Sequence, residues 1–261
     1  MAIRIVTLGD LLLDVIVRLE QPLVPGDDTI GVTHMGAGGQ AANVAAWAVE
    51  LGAEARVVAK VGDDVAGHFV AQGLRGRGVD VRGPAGRRTG IVVSLASAGD
   101  RTMASDRGSA PDLEPDELEA VWFECDVLHI SGYALARAPI AAAADRGAEL
   151  ARGYGATVSL DLSAVSLVDA AYRSRAVALS PDLVFATERE REALPGIDAR
   201  WVVKRGAEGI EVDGTEWPAV DVGVVDTTGA GDALAAGFFV GGPELGLETA
   251  ARCVAQLGSM P

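Results

Sequence analysis

The apolar positions of this chain fall in short β-branched runs separated by Ala-rich stretches of helical length. A short apolar run bounded by turn residues reads as a buried strand, and a longer stretch with apolar residues three and four apart reads as a helix. On that basis the chain opens with a strand over Ile3–Gly9 and continues with a strand over Arg56–Val61 and a helix over Val65–Gly73. A strand over Val127–Ile130 precedes an Ala-rich helix from about Pro139 to Arg152, where proline suits the first turn because its missing N–H would have no partner there. Strands over Thr157–Leu160, Leu183–Ala186 and Trp201–Lys204 complete the series. This alternation predicts an α/β fold whose central, mainly parallel sheet is flanked by helices on both faces, with ligands at the carboxyl ends of the strands.

Two stretches break the alternation. Asp10–Arg18 and Thr29–Met35 read as paired strands around a Pro/Gly/Asp turn, and Thr89–Ser97 and Arg101–Asp106 as a second pair. Together they predict a small β-sheet lid, residues 10–35 and 89–106, over a core made of residues 1–9, 36–88 and 107–261.

With 261 residues and 49% hydrophobic content, the chain can bury a sizeable core. Its formal charge of −15 argues against a nucleic-acid or anionic-membrane partner, for which clustered Lys and Arg would be expected. The start lacks the basic leader and apolar core of a signal peptide, and no run of 18 apolar residues occurs, so a cytoplasmic protein is expected. Cys125 and Cys253 have no metal or disulfide spacing and read as small buried residues in a reducing compartment. His34, His68 and His129 have no metal-ligand spacing either.

The chemistry concentrates in Asp226–Asp232, DTTGAGD, which runs into an Ala/Phe-rich segment with the pattern of a buried helix. Helix-start N–H groups lack intrahelical partners and carry the positive end of the macrodipole, so a Gly-rich entry lets an anion approach. Asp232 alone would read as a cap. Two carboxylates, two hydroxyls and two glycines in seven residues exceed what a cap needs, and point to an anion hole with a general base beside it.

The string DTTGAGDALAAGF resembles the C-terminal signature of the ribokinase-like (PfkB-type) carbohydrate kinases. Gly38-Gly39-Gln40-Ala41-Ala42-Asn43, followed by Gly52 and Val61-Gly62-Asp63-Asp64, is similar to the N-terminal signature of the same family. The resemblance covers the chain from Leu8 to about Gly258. It implies a ribokinase-like fold with its β-sheet lid and an ATP- and Mg2+-dependent transfer of the γ-phosphoryl group to a hydroxyl of a small carbohydrate.

Carried over residue by residue, the resemblance makes Asp232 the general base and Gly229, Ala230, Gly231 and Asp232 the anion hole. A base of this kind contributes roughly 10²–10⁴ in rate. Asp14, Gly38, Gly39 and Asn43 are implied to hold the acceptor. Arg101 has two readings, a contact to a polar part of the acceptor or a solvated edge cation. Thr187-Glu188-Arg189-Glu190 corresponds to the family's N-x-x-E, with Thr187 in place of Asn and Glu190 expected to organise Mg2+ through water; a charged helix start is the plainer reading. Lys204, Gly206 and Gly209 match a nucleotide-binding turn, although a tight turn between strands would also use those glycines. Asp161 reads either as a cleft residue near phosphate or as a helix cap. Asp226 and Thr228 resemble residues that bind a K+-like ion in some members.

Family members usually run on past the segment that here reads Cys253–Pro261, so the loop on the adenine and cation side is expected to be short. A nucleoside kinase shares every motif, although five Phe and three Tyr leave few rings for base stacking. A non-catalytic sugar sensor on this fold is the alternative of a different class. A homodimer through the lid and a monomer both remain open.

Overall fold

The computed structural model describes residues 2–97 and 100–261, apart from the side chains of residues 97, 100 and 101. Strand β1 (Arg4–Leu8) leads through β2 (Leu12–Leu19) and β3 (Gly31–Gly38) into helix α1 (Gln40–Glu50), which returns to β4 (Glu54–Val58). Then come β5 (Val61–Gly62), α2 (Val65–Gly76), β6 (Asp80–Arg82), β7 (Ala85–Gly86), β8 (Thr89–Ser97) and β9 (Asp100–Gly108). The second half holds β10 (Val127–Ser131), α3 (Gly132–Leu135), α4 (Ile140–Gly153), β11 (Thr157–Asp161), α5 (Ala170–Leu179), β12 (Leu183–Thr187) and α6 (Glu188–Ala193). It closes with β13 (Arg200–Lys204), β14 (Ile210–Val212), β15 (Thr215–Trp217) and α7 (Ala230–Val254).

The main sheet has nine strands in the order β15-β14-β13-β12-β11-β10-β1-β4-β6, parallel except for the β13-β14-β15 edge. Its strands are apolar on both sides because both faces are covered. Ile5, Val57, Val127, Phe185 and Val202 point into a core shared with α1, α2 and α7. Their neighbours Val6, Val58, Leu128 and Val184 point into a second core under α4 and α5. That two-residue period is what the short β-branched runs encode.

Most predicted boundaries move by one to three residues, and two strands change more. The expected strand over Arg56–Val61 is divided into β4, which ends at Val58 in the main sheet, and β5, whose Val61 and Gly62 pair instead with Ala85 and Gly86 of β7 in a separate two-stranded sheet. The expected strand over Thr29–Met35 is displaced to Gly31–Gly38 and carries the glycines that read as a loop. Those glycines pair in register with β2, Asp14 opposite Gly36 and Leu12 opposite Gly38. A Cβ on Gly38 would lie 2.1 Å from the Asp14 Cγ, so a residue without a side chain lets the carboxyl-bearing strand lie against it.

The interrupting strands form one four-stranded sheet, β3-β2-β8-β9, with β2 and β8 parallel and both outer pairs antiparallel. It stands at the carboxyl end of the main sheet. The strand order reverses between β1 and β10, and the ends of these two strands touch: a Cβ on Gly9 would lie 2.7 Å from that of Ser131. A reversal of this kind opens a crevice outside the strand ends. Asp10, Ser131, Asp161, Thr187 and Lys204 all sit at or just past those ends.

Helix α7 starts at Ala230, as the DTTGAGD pattern implies. Its helical geometry is interrupted at Gly241 (φ −147°) and Gly242 (φ 81°), followed by Pro243, so it is two helices joined at a kink. Small residues at Ala233, Ala235 and Ala236 are wholly or almost wholly buried, which lets the first half lie against α1 and the sheet.

Candidate active site

Asp232 occupies the first turn of α7 and is buried, with 9% of its surface exposed. Gly229 caps the helix at φ 76°, a left-handed conformation that favours glycine, and a Cβ there would meet Ser259 at 2.6 Å. Ala230, Gly231 and Asp232 make the first turn of the helix, where N–H groups have no intrahelical partner; that of Ala230 donates back to Thr227 O at 3.4 Å. Asn43 Nδ2 donates to Asp232 Oδ2 at 2.7 Å, and Gln40 lies close enough to the same carboxyl to favour its ionised form. Burial raises the Asp232 pKa to about 7 against the pull of the Asn43 bond; the Asp161 charge adds to the rise, and Lys204 and Gln40 oppose it. A buried carboxyl poised near neutrality is suited to proton transfer.

The strip from Gly38 to Asn43 forms one wall. Gly39 has φ 96°, and a Cβ there would lie 2.3 Å from Asp10 O, so the turn into α1 requires glycine. Asn43 has both amide ends engaged: Nδ2 on Asp232, and Oδ1 accepting from Ser259 Oγ at 3.0 Å. The Asp14 carboxyl lies over Gly38 at the edge of the small sheet. The Arg101 side chain lies outside the described residues.

Next to the glycine turn at Gly231, Lys204 Nζ donates to Asp161 Oδ2 at 2.8 Å, with Asp161 1% and Lys204 19% exposed. Burial is the largest influence and opposes both charges, yet the pKa of Asp161 is lowered and that of Lys204 raised, because the partner's charge, the hydrogen bond between them and smaller neighbouring charges together outweigh desolvation. The ammonium reaches to 3.5 Å from where a Gly231 Cβ would stand. Gly206 (φ 60°) and Gly209 (φ 99°) bound the turn from β13 to β14, and a Cβ on Gly209 would lie 2.0 Å from Trp217 O.

Thr187 and Glu190 form the capping box of α6: Thr187 N–H donates to Glu190 Oε2 at 2.7 Å, and Glu190 N–H to Thr187 Oγ1 at 3.4 Å. Threonine in place of asparagine thus keeps the cap and leaves the Glu190 carboxyl at the mouth of β12. Asp226 staples the DTTGAGD loop: Oδ1 accepts from Thr228 N–H at 3.0 Å and Oγ1 at 2.7 Å, and Oδ2 accepts from Gly258 N–H at 3.1 Å. Both cysteines are buried, and the Cys253 thiol points at Thr228 O, 3.2 Å away.

Several residues at the site had no sequence signal of their own. Arg107, near the end of β9, makes a two-pronged bond to Asp10, Nε to Oδ2 at 2.6 Å and Nη2 to Oδ1 at 2.7 Å. Its guanidinium lies 5.7 Å from the Tyr133 ring centre. Gln40 Oε1 accepts from Ser131 Oγ at 2.5 Å and Ser163 Oγ at 2.7 Å. Gln40 lies inside the N-terminal glycine motif and could have been found there; the serines and Arg107 come from distant strands.

The open sheet, strand-end crevice and small covering sheet define a ribokinase-like kinase fold. The family profile of pfkB family carbohydrate kinases matches residues 2–260, and the chain belongs to that family. It is 32% identical to an ATP-dependent ribose-1-phosphate kinase of Halopiger xanaduensis, over 96% of this chain and 90% of that protein. It is 33% identical to fructokinase-1 of Zea mays, over 76% of this chain and 71% of that protein. The structure of adenosine kinase from Sinorhizobium meliloti superposes with a TM-score of 0.86 at 24% identity, covering 100% of this chain and 96% of the other. A putative ribokinase II from E. coli in complex with ATP and Mg2+ gives a TM-score of 0.83 at 21% identity, covering 100% of this chain and 95% of the other.

Proposed function

We propose that the protein transfers the γ-phosphoryl group of ATP to a hydroxyl of a small carbohydrate, with Asp232 as the general base. The observation that carries this reading is Asp232 itself: a buried carboxyl, poised near neutrality, beside the open N–H groups of a helix start. The acceptor hydroxyl lies against Asp232, held by Asp14 and the bare backbone of Gly38 and Gly39. Asp232 takes its proton as the oxygen attacks phosphorus. The N–H groups of Ala230 to Asp232 and the Lys204 ammonium stabilise charge on the transferring phosphoryl oxygens, which is most of what this reaction asks of a protein.

An open hollow lined by Thr187, Arg189, Lys204, Arg205 and Gly206 supports nucleotide binding beside the turn. Mg2+ is held by few carboxylates together with phosphates and water, and a single Glu190 whose other oxygen serves the α6 cap fits that need. When bound, the ion neutralises charge between the terminal phosphates. Asp226 and Thr228 act first as the staple of the loop, and a K+ titration tests the monovalent ion expected there.

The small sheet is read as the lid that excludes water, and the exposed Val32, Met35 and Met103 on it support a homodimer through that lid. No helix among the described residues is long and apolar enough to cross a membrane. The relatives that bear ribose-1-phosphate kinase and fructokinase names support sugar acceptors first.

The test is ADP release from Mg·ATP against ribose, ribose-1-phosphate, fructose, 2-keto-3-deoxygluconate and adenosine, with and without K+. Turnover on one sugar, lost by about 10³-fold in Asp232→Asn, is the expected result. Binding of a sugar without turnover under every condition would move the protein to the sensor class.

A further inference from the structure

We infer that Ser259, Ser131 and Ser163 are positioning residues for the base: their hydroxyls fix the orientation of the two side-chain amides beside the Asp232 carboxylate, of which Asn43 is bonded to it. This rests on the reading of Asp232 as the base. Asn43 and Gln40 lie three residues apart at the start of α1, on one face, Asn43 bonded to Asp232 and Gln40 near enough to it to favour its ionised form. An amide has one accepting and one donating end, and either can face a carboxyl. Only the donating end favours the ionised form.

Each amide is fixed from behind. Ser259 Oγ donates to Asn43 Oδ1 at 3.0 Å, which commits Nδ2 to Asp232. Ser131 Oγ and Ser163 Oγ both donate to Gln40 Oε1, at 2.5 and 2.7 Å, which fixes the orientation of its NH2 group. The three hydroxyls come from three separate parts of the chain: the C-terminal segment, the end of β10 and the turn after β11. Ser259 and Ser131 are buried, so water does not offer a ready substitute.

Without the Ser259 hydroxyl, the Asn43 amide is free to turn and present Oδ1 to Asp232, an arrangement that favours a protonated carboxyl. The other ionisable groups around Asp232 are Asp161 and Lys204 at the strand ends, Tyr133 on α3 and Cys253 on α7, and Ser259→Ala leaves all of them in place. It also leaves the Ser259 main-chain carbonyl, which anchors Trp47 Nε1 at 2.9 Å.

The experiment is the pH profile of kcat for wild type, Ser259→Ala, Asn43→Ala, the Ser259→Ala/Asn43→Ala double variant and Ser131→Ala/Ser163→Ala, each checked for folding by thermal melting. Ser259→Ala is expected to move the acidic limb upward by about one pH unit, so that turnover near pH 6 falls about tenfold and recovers near pH 9. Ser131→Ala/Ser163→Ala is expected to shift the limb in the same direction. In the Asn43→Ala background Ser259→Ala should add no further shift, because the hydroxyl acts only through that amide. An unmoved limb in Ser259→Ala, an equal loss at every pH, or a full additional shift in the Asn43→Ala background overturns the inference. Asp232→Asn is the control: if it keeps its rate the base assignment itself falls, whereas a dead Asp232→Asn with an unmoved Ser259→Ala limb removes only the role of the serines.

Discussion

Lys204 and Asp161 form a buried ion pair 2.8 Å long, and its cation stands against the glycine turn at Gly231. The two residues end neighbouring parts of the sheet, β13 and β11, with β12 between them. The pair places one positive charge beside the glycine turn and balances it with a carboxylate.

Removing one member of such a pair leaves a charge stranded in the interior. Lys204→Met should therefore cost about 3–5 kcal/mol in urea unfolding and lower turnover by about 10²-fold or more. Lys204→Met/Asp161→Leu should regain most of the stability and none of the activity. A double variant as unstable as the single would show that packing, not the stranded carboxylate, sets the cost.

The raised pKa of Asp232 gives a signed pH dependence. The folded value of about 7 lies above the ordinary 3.8, so the folded state binds the extra proton between those limits and loses stability as pH rises through them. Asp232→Asn removes that loss: it should melt higher than wild type near pH 8 and alike near pH 4, by up to about 4 kcal/mol. Wild-type turnover should rise with pH and level off above about pH 7, as a base must be ionised. Equal melting differences at both pH values would contradict the burial argument.

Arg107 ties the small sheet to the core through Asp10, a carboxyl only 3% exposed. Arg107→Ala should cost about 3 kcal/mol and speed amide exchange in β8 and β9. Arg107→Lys should recover only part of this, because an ammonium cannot make the two-pronged bond. Unchanged exchange in the small sheet would show that its position does not depend on this pair.

Gly229 combines a left-handed backbone with a contact to Ser259. Gly229→Ala should lower stability by about 1–3 kcal/mol and reduce turnover at every pH. Gly52→Ala shares the positive φ, at 88°, but has open space around it. It should show the backbone cost alone, with kcat unchanged, as measured by unfolding and steady-state kinetics.

The sequence by itself determined the class of fold, the helix start at Ala230 and the family, because these depend on local properties. β-branched runs at strand length, Ala-rich helical stretches and a glycine-rich turn into a helix each specify their conformation from near neighbours. It also showed two hairpins outside the alternation, though not that β3 would run through Gly36–Gly38, since glycine read locally means a turn and only pairing with β2 makes it strand. The candidate base and the glycines around it were legible for the same reason. What the tertiary structure decided is the company these residues keep. Lys204 facing Asp161, Arg107 bonded to Asp10, and Ser259 turning the Asn43 amide toward Asp232 join residues 43, 97 and 216 positions apart. No periodicity links such positions; a parallel sheet does, by bringing the ends of distant strands to one edge and there setting which charges and hydroxyls surround a single buried carboxyl.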